Sequence, residues 1–432
     1  MLVSGCGSGE HPASGTGGND AQAGKSAGAA LDPIGSAPLT LQVYMDMPIL
    51  DEDYQKLIAA PVKKKFPTVT LEKRDKIKDN SGDINDQVAS GYAPDLLLTG
   101  FYNIANMTTL GIPYEVDELV KQQNVDLSQF EKVAVDALRG FRDGKLVGLP
   151  LYMNTTMLFY NKDIFDKFGV AYPQDGMSWN AAVELARKLT RSEAGVNYQG
   201  LAPGSWDTLG SQLSVPKVDP KTNKAVVNSA GYKTVFQLLK TVYSIPGMDS
   251  KLKANDIFIK DRTLAMNSYW LTDMLNLFES AQRSGNPLNW DMVTTPHFQE
   301  KPGIGSKVDS HILMVSAQSK YKAQVFEIMK YLTSDVGMQT EFGKAGRIPI
   351  LKNPQIEQHY GENYASLQGK HIQAVFKTKM APLPPFSVLE NEVKKPMGDA
   401  YKNFLSGKTD INTALRTAEE EANKNIETAL TK

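Results

Sequence analysis

The chain has 432 residues, more than a single hydrophobic core usually serves, so a division into two lobes is expected. Its 41% hydrophobic and 22% charged residues exclude a mainly disordered polymer and leave apolar material for two cores. Lysine and arginine number 47 against 48 aspartates and glutamates, so no global field draws the chain to nucleic acid, and no run of about 18 apolar residues offers a membrane span.

Val3, Ser4 and Gly5 stand directly before Cys6, the only cysteine, and read as a lipobox in which small residues admit a signal peptidase and leave Cys6 carrying a lipid. Only Met1 and Leu2 precede Val3, so the charged and apolar parts of a signal peptide are missing from this chain. Gly7 to Ala30 contains no valine, isoleucine, leucine, methionine or aromatic residue and cannot bury enough to order itself. It reads as a tether that would span on the order of 30 Å.

Leu39 to Met45 has strand character, and a helix is expected from about Asp53 to Phe66, where Pro67 ends it. Asp51, Glu52 and Asp53 lie at its start and Lys63 to Lys65 at its end, where each complements the helix dipole on a solvated face. Val69 to Lys73 reads as a strand, Ile84 to Ser90 as a short helix and Asp95 to Thr99 as a buried strand, an alternation that predicts a parallel sheet covered by helices. A second set follows Pro150, with a strand at Met157 to Tyr160 and a helix after Ser178 that turns Trp179, Ala182, Val183 and Ala186 to one face. Further helical stripes run from Tyr232 to Tyr243 and from Val325 to Leu332, and Asp410 is placed to cap a last helix. The fold class is α/β.

Much chemistry is absent. No phosphate-binding loop or dinucleotide fingerprint occurs, and the histidines His11, His297, His311, His359 and His371 never fall four apart on a helix. No metal, no cofactor and no enzymatic activity are expected.

The stretch Asp143-Gly144-Lys145-Leu146-Val147-Gly148-Leu149-Pro150 is followed by Leu158-Phe159-Tyr160-Asn161-Lys162 and Phe165 to Gly169. With Pro173, Trp179, Thr190, Leu264-Ala265-Met266, Trp270, Pro296, Tyr331-Leu332, Gly346 and Pro349, in that order and spacing, the chain resembles the family 1 extracellular solute-binding proteins, the sugar-binding components of ABC importers. The resemblance implies two Rossmann-like lobes joined by hinge segments, as in periplasmic binding proteins, closing on a ligand in the cleft between them. Residues 1–37 would be lipobox and tether, 38–151 plus about 307–342 the first lobe, and about 152–306 plus 343–432 the second, with crossings near Pro150, Gly305 and Phe342.

Ligands of open α/β sheets sit beyond the carboxyl ends of the strands, and a sugar needs flat aromatic surfaces together with bidentate polar groups. Tyr44 and Asp46 end the first strand, Phe101 follows the strand at Thr99, and Tyr152 and Asn154 lie just past the first crossing. Trp206 and Asp207, after Pro203-Gly204, and Tyr269 and Trp270, after Ala265-Met266, match the family's stacking positions; Arg347 beside Gly346 could hold hydroxyls or a carboxylate. Trp179 and Trp290 are assigned to the core, and His311 either faces the cleft or satisfies a backbone carbonyl.

The expected function is capture of a mono- or oligosaccharide outside the cytoplasm, at a bacterial cell surface or in the periplasm, by a lipid-anchored monomer that delivers it to the membrane subunits of an ABC importer. A surface carbohydrate-active enzyme would instead need two carboxylates about 5 to 10 Å apart, for which Asp46 and Asp207 are the candidates. A binding subunit feeding a sensor kinase is the third reading.

Overall fold

The computed structural model describes residues 33–75 and 84–431; Cys6 and the tether expected from Gly7 to Ala30 lie outside them. The apolar runs form strands where the alternation places them. In chain order these are β1 (Leu39–Met45), β2 (Val69–Asp75), β3 (Leu96–Gly100), β4 (Leu149–Asn154), β5 (Thr156–Asn161), β6 (Arg191–Glu193) and β7 (Val196–Ala202). There follow β8 (Val218–Asp219), β9 (Lys224–Ala225), β10 (Leu264–Trp270), β11 (Trp290–Thr294), β12 (Ile304–Lys307), β13 (Asp309–Val315) and β14 (Lys379–Ala381).

Two five-stranded sheets result, in the orders β2-β1-β3-β13-β4 and β11-β5-β10-β7-β6. The expected parallel sheet is found for β1, β2 and β3, but each five-stranded sheet as a whole is mixed. β1 runs parallel to β2 and β3, but β13 arrives from the other lobe and so lies antiparallel to both β3 and β4. In the second sheet β10 and β7 are parallel, whereas β5, entering from the first lobe, is antiparallel to β10 and β11.

Helices close the sheets through the faces their spacing marks. Ser178 accepts from the Ala181 amide and starts the helix Trp179–Leu189, which buries Trp179, Ala182, Val183 and Ala186. Asp410 accepts from the Asn412 and Thr413 amides and starts Ile411–Leu430, which packs on Asn391–Leu405. Trp179 and Trp290 are core residues, each 2% exposed, and the Trp290 ring stacks on Phe278 at 3.8 Å.

The chain passes directly from β4 to β5 through Thr155, and returns through the segment that holds β12. The Thr155 and Ser306 hydroxyls hydrogen-bond at 3.1 Å, those of Thr156 and Thr295 at 2.9 Å, so the two crossings run side by side. The segment after the helix Val336–Lys344 still pairs with the first lobe: the Met153 amide donates to the Ile348 carbonyl at 2.9 Å, and Leu351 bridges to Phe130.

Gly200 on β7 lies directly under the helix Trp179–Leu189, where a Cβ would stand 2.4 Å from the Ala186 carbonyl oxygen. Backbone cannot give way there as a flexible side chain would. Gly200→Ala is expected to destabilise the fold by about 1–3 kcal/mol. Urea unfolding measures this, and an unchanged midpoint would contradict the packing described.

Candidate functional site

The carboxyl ends of β1 and β3 face the second lobe and carry the first wall of the cleft. Phe101 follows β3 and is buried edge-on against Phe141, ring centroids 5.4 Å apart. Beside it Tyr102 donates its hydroxyl to the Asp46 carbonyl, and Asn103 donates to the Asp46 carboxylate at 3.0 Å. Gly100 permits this turn, since a Cβ there would meet the Tyr102 ring at 2.3 Å.

The opposite wall starts at Ser205, which caps the helix Trp206–Gln212 by accepting from the Thr208 amide. Trp206 lies edge-on to Tyr232 at 6.1 Å. Asp207 binds the Lys217 ammonium at 2.7 Å, and Lys217 binds Glu390 at 2.9 Å. Burial works to raise the Asp207 carboxyl, but the Lys217 charge prevails and holds it below the usual carboxylate range. Between the walls lies a pocket of ≈ 130 Å³ lined by Phe101, Tyr102 and Phe141 from the first lobe and by Asp207, Lys217 and Tyr232 from the second. Pro384 and Phe386, from the segment after β14, complete it.

A second cluster lies wholly in the interior. Tyr152 on β4 faces its register partner His311 on β13 at 4.8 Å, and the Arg347 guanidinium stands 5.8 Å from the Tyr152 ring. Arg347 Nη2 donates to Asn276 Oδ1 at 2.8 Å, to the Tyr364 hydroxyl at 3.2 Å and to Asp53 Oδ2 at 3.3 Å. Its Nε and Nη1, the Tyr152 hydroxyl and His311 Nδ1 find no partner among the described residues. Burial, then the Arg347 charge, depresses the His311 imidazole to about 3, which keeps it neutral. Burial pushes the carboxyls of Asp273 and Asp309 up to about 6.

Thus Phe101 and Asp207 share one pocket, with Trp206 against its Tyr232 wall, and Asp46 is bound to the Tyr102 and Asn103 side chains beside it. Tyr44, Tyr152 and Arg347 are fully buried, so Arg347 is corrected from a loop residue offering its charge to the cleft to an interior ion-pair partner. Asp53 is corrected likewise: it is 3% exposed and serves Arg347, not a solvated helix start. Asn154 Oδ1 accepts from the Thr272 amide at 3.1 Å and so caps the helix Leu271–Arg283. Tyr269 and Trp270, at the end of β10, are partly buried and stand outside the ≈ 130 Å³ pocket. Lys217, Tyr232, Glu390 and Phe386 were not anticipated; only the nearness of Lys217 to Asp207 in sequence hinted at any of them. Among the described residues no group of three or more His, Cys, Asp or Glu could hold a metal ion.

Two mixed α/β lobes joined by side-by-side crossings, with a mixed aromatic and ionic pocket between them, define a two-lobed solute-binding protein. The chain belongs to the bacterial extracellular solute-binding protein family, whose profile matches residues 57–361. Its place of work is therefore outside the cytoplasm, and no helix among the described residues is long and apolar enough to cross a membrane. A probable ABC transporter-binding protein of Deinococcus radiodurans is 22% identical over 298 residues, 64% of this chain and 68% of its own length. An ABC substrate-binding protein of Listeria monocytogenes, solved in complex with cycloalternan, superposes with a TM-score of 0.74 at 20% identity over 90% of this chain and 99% of its own. The sugar-binding protein MalE of Xanthomonas citri gives 0.68 at 16% identity, covering 91% and 98%.

Asp309 yields a pH test. Between the ordinary carboxylate value and about 6 the folded chain keeps a proton that the unfolded chain has released, so the contribution of Asp309 to stability is fullest in acid and fades as pH rises through 6. Asp309→Asn, which keeps the shape without the charge, should raise the melting temperature at pH 7.5 relative to its effect at pH 4.5. A variant more harmful at pH 7.5 than at pH 4.5 would contradict the buried-carboxyl reading.

Proposed function

We propose that this protein captures a carbohydrate, a mono- or oligosaccharide, in the cleft between its lobes and delivers it to the membrane subunits of an ABC importer without making or breaking a bond. The observation that carries this is the pairing, in one inter-lobe pocket, of the aromatic surfaces of Phe101, Phe141 and Tyr232 with the polar set Asp207, Lys217 and Glu390. Aromatic faces suit the C–H surfaces of a pyranose, and fixed charged groups suit its hydroxyls. The cycloalternan bound by the Listeria protein and the sugar-binding description of MalE favour the same ligand class.

Hydrolysis is less well supported. A general acid needs a proton near neutral pH, whereas Asp207 is ion-paired to Lys217 and held ionised. Incubation with oligosaccharides discriminates: unchanged sugar and a raised melting temperature are expected, and released sugar would sink the transport reading.

Trp270 closes β10 at the head of the helix Leu271–Arg283, next to Tyr269, and is the stacking residue we assign beyond the pocket; Trp206, Tyr269 and Asp46 are assigned to the same site. Trp270→Ala should weaken sugar binding about tenfold or more by calorimetry while leaving the fold intact. Equal affinity in the variant removes Trp270 from the site. A lipid on Cys6 is the proposed anchor, and Cys6→Ser is expected to move the protein from the membrane fraction to the soluble one with unaltered ligand affinity; persistent membrane retention contradicts it.

A further inference from the structure

The segment between β14 and the helix Asn391–Leu405 belongs to the second lobe at both ends. At its start the Ser214 hydroxyl of that lobe donates to the Pro382 carbonyl at 3.1 Å, just past Ala381, whose carbonyl accepts from the Val308 amide on the returning crossing at 2.7 Å. At its far end Glu390 is held by Lys217 at 2.9 Å, which is itself fixed to Asp207. Between these anchors run Pro382, Leu383, Pro384, Pro385 and Phe386, three prolines in five residues, a composition that limits backbone freedom. This strap does not fold back onto its own lobe. Phe386 crosses the cleft and places its ring 4.7 Å from that of Phe141, at 71°, and Phe141 in turn meets Phe101. Leu383 packs with Phe386 against the core that contains Phe141, whereas Leu389 packs against the other core. The turn Val388–Glu390 also lies beside the first-lobe helix Ile104–Thr109.

We propose that Phe386 is an inter-lobe latch: carried rigidly by the second lobe, it docks on the aromatic wall of the first and biases the cleft toward closure before any solute arrives. When the lobes part, the strap travels with its anchors, and the Phe141 and Phe386 rings lose each other and meet water. That loss opposes opening. A solute then inherits a closed state already populated, and its apparent affinity is raised by that population.

The test uses no solute, so it stands apart from the sugar-binding reading, and either can fail without the other. In a Cys6→Ser background, spin labels at Lys121→Cys on the first lobe and Lys188→Cys on the second, both exposed positions, report the inter-lobe distance. The protein is unfolded and refolded first, to strip any carried solute. With Phe386 present the short distance should dominate; Phe386→Ala should lower the ratio of short to long populations about tenfold. Phe386→Leu, apolar but without the ring, should fall between. A distribution already dominated by the long distance with Phe386 in place, or an Ala distribution superimposable on it, overturns the latch. Phe386 is only half-buried in an external strap, and unchanged circular dichroism confirms that the variants fold.

Discussion

Thr155 and Ser306 face each other where the chain leaves the first lobe and where it comes back. Their hydroxyls are buried, and buried hydroxyls without partners are costly, so the pairing at 3.1 Å fixes the register of the two crossings. Two extended segments bonded in this way resist shear but can bend together, which is what a hinge requires. The positions of both walls follow. Asn154, one residue before Thr155, caps the helix Leu271–Arg283, and the Tyr152 carbonyl accepts from Ser310 across the sheet. A displacement of the crossings would therefore be felt on both sides of the cleft.

The charges are arranged around this hinge in two ways. Arg347 is fully buried and is compensated by Asp53, with Asn276 and Tyr364 completing its contacts, so it ties the start of the first lobe to a helix of the second. Stripping one partner from such a group would leave a charge uncompensated in a poorly polarisable interior. Lys217 does comparable work nearer the pocket, where it joins the helix Trp206–Gln212 to the strap through Asp207 and Glu390. The pocket carries charges of both signs, Asp207 and Glu390 against Lys217, Lys307 and Lys394, and its two acids are both engaged by Lys217.

What could be read from the sequence was local. Strand runs and helical stripes declared themselves because each is encoded within a few residues, as with Ser178 and its amphipathic helix or Asp410 and its cap. Trp179 and Trp290 were legible as core because of their place in those patterns. Pairings between remote residues were not legible. Arg347 and Asp53 are 294 positions apart, and nothing near either announces the other, so Arg347 looked like an open loop cation and Asp53 like a helix-start acid. The role of Phe386 is hidden for the same reason: a phenylalanine after three prolines carries no period, and only the fold brings Phe141 to it. The walls of the site could thus be placed at strand ends, while the contacts across it could not.

The position of β13 has a consequence for how the protein is made. In the first sheet β3 and β4 do not touch; β13 sits between them, pairing His311 with both Gly100 and Tyr152. A chain emerging from the ribosome, or threaded through a membrane, presents β1 to β4 long before the strand that completes their sheet. Until Val315 has followed, the inner edges of β3 and β4 stay open, while all five strands of the second sheet, from β5 to β11, are already available to pair. The second lobe waits as well, since the helices Asn391–Leu405 and Ile411–Leu430 supply Val393, Met397, Leu415 and Ile426 to its core, so both lobes close only once the chain is nearly complete, slowed by the sequence distance between partners. A chain whose two lobes both wait for late segments spends longer with open strand edges, which is where such a protein is most exposed to mispairing.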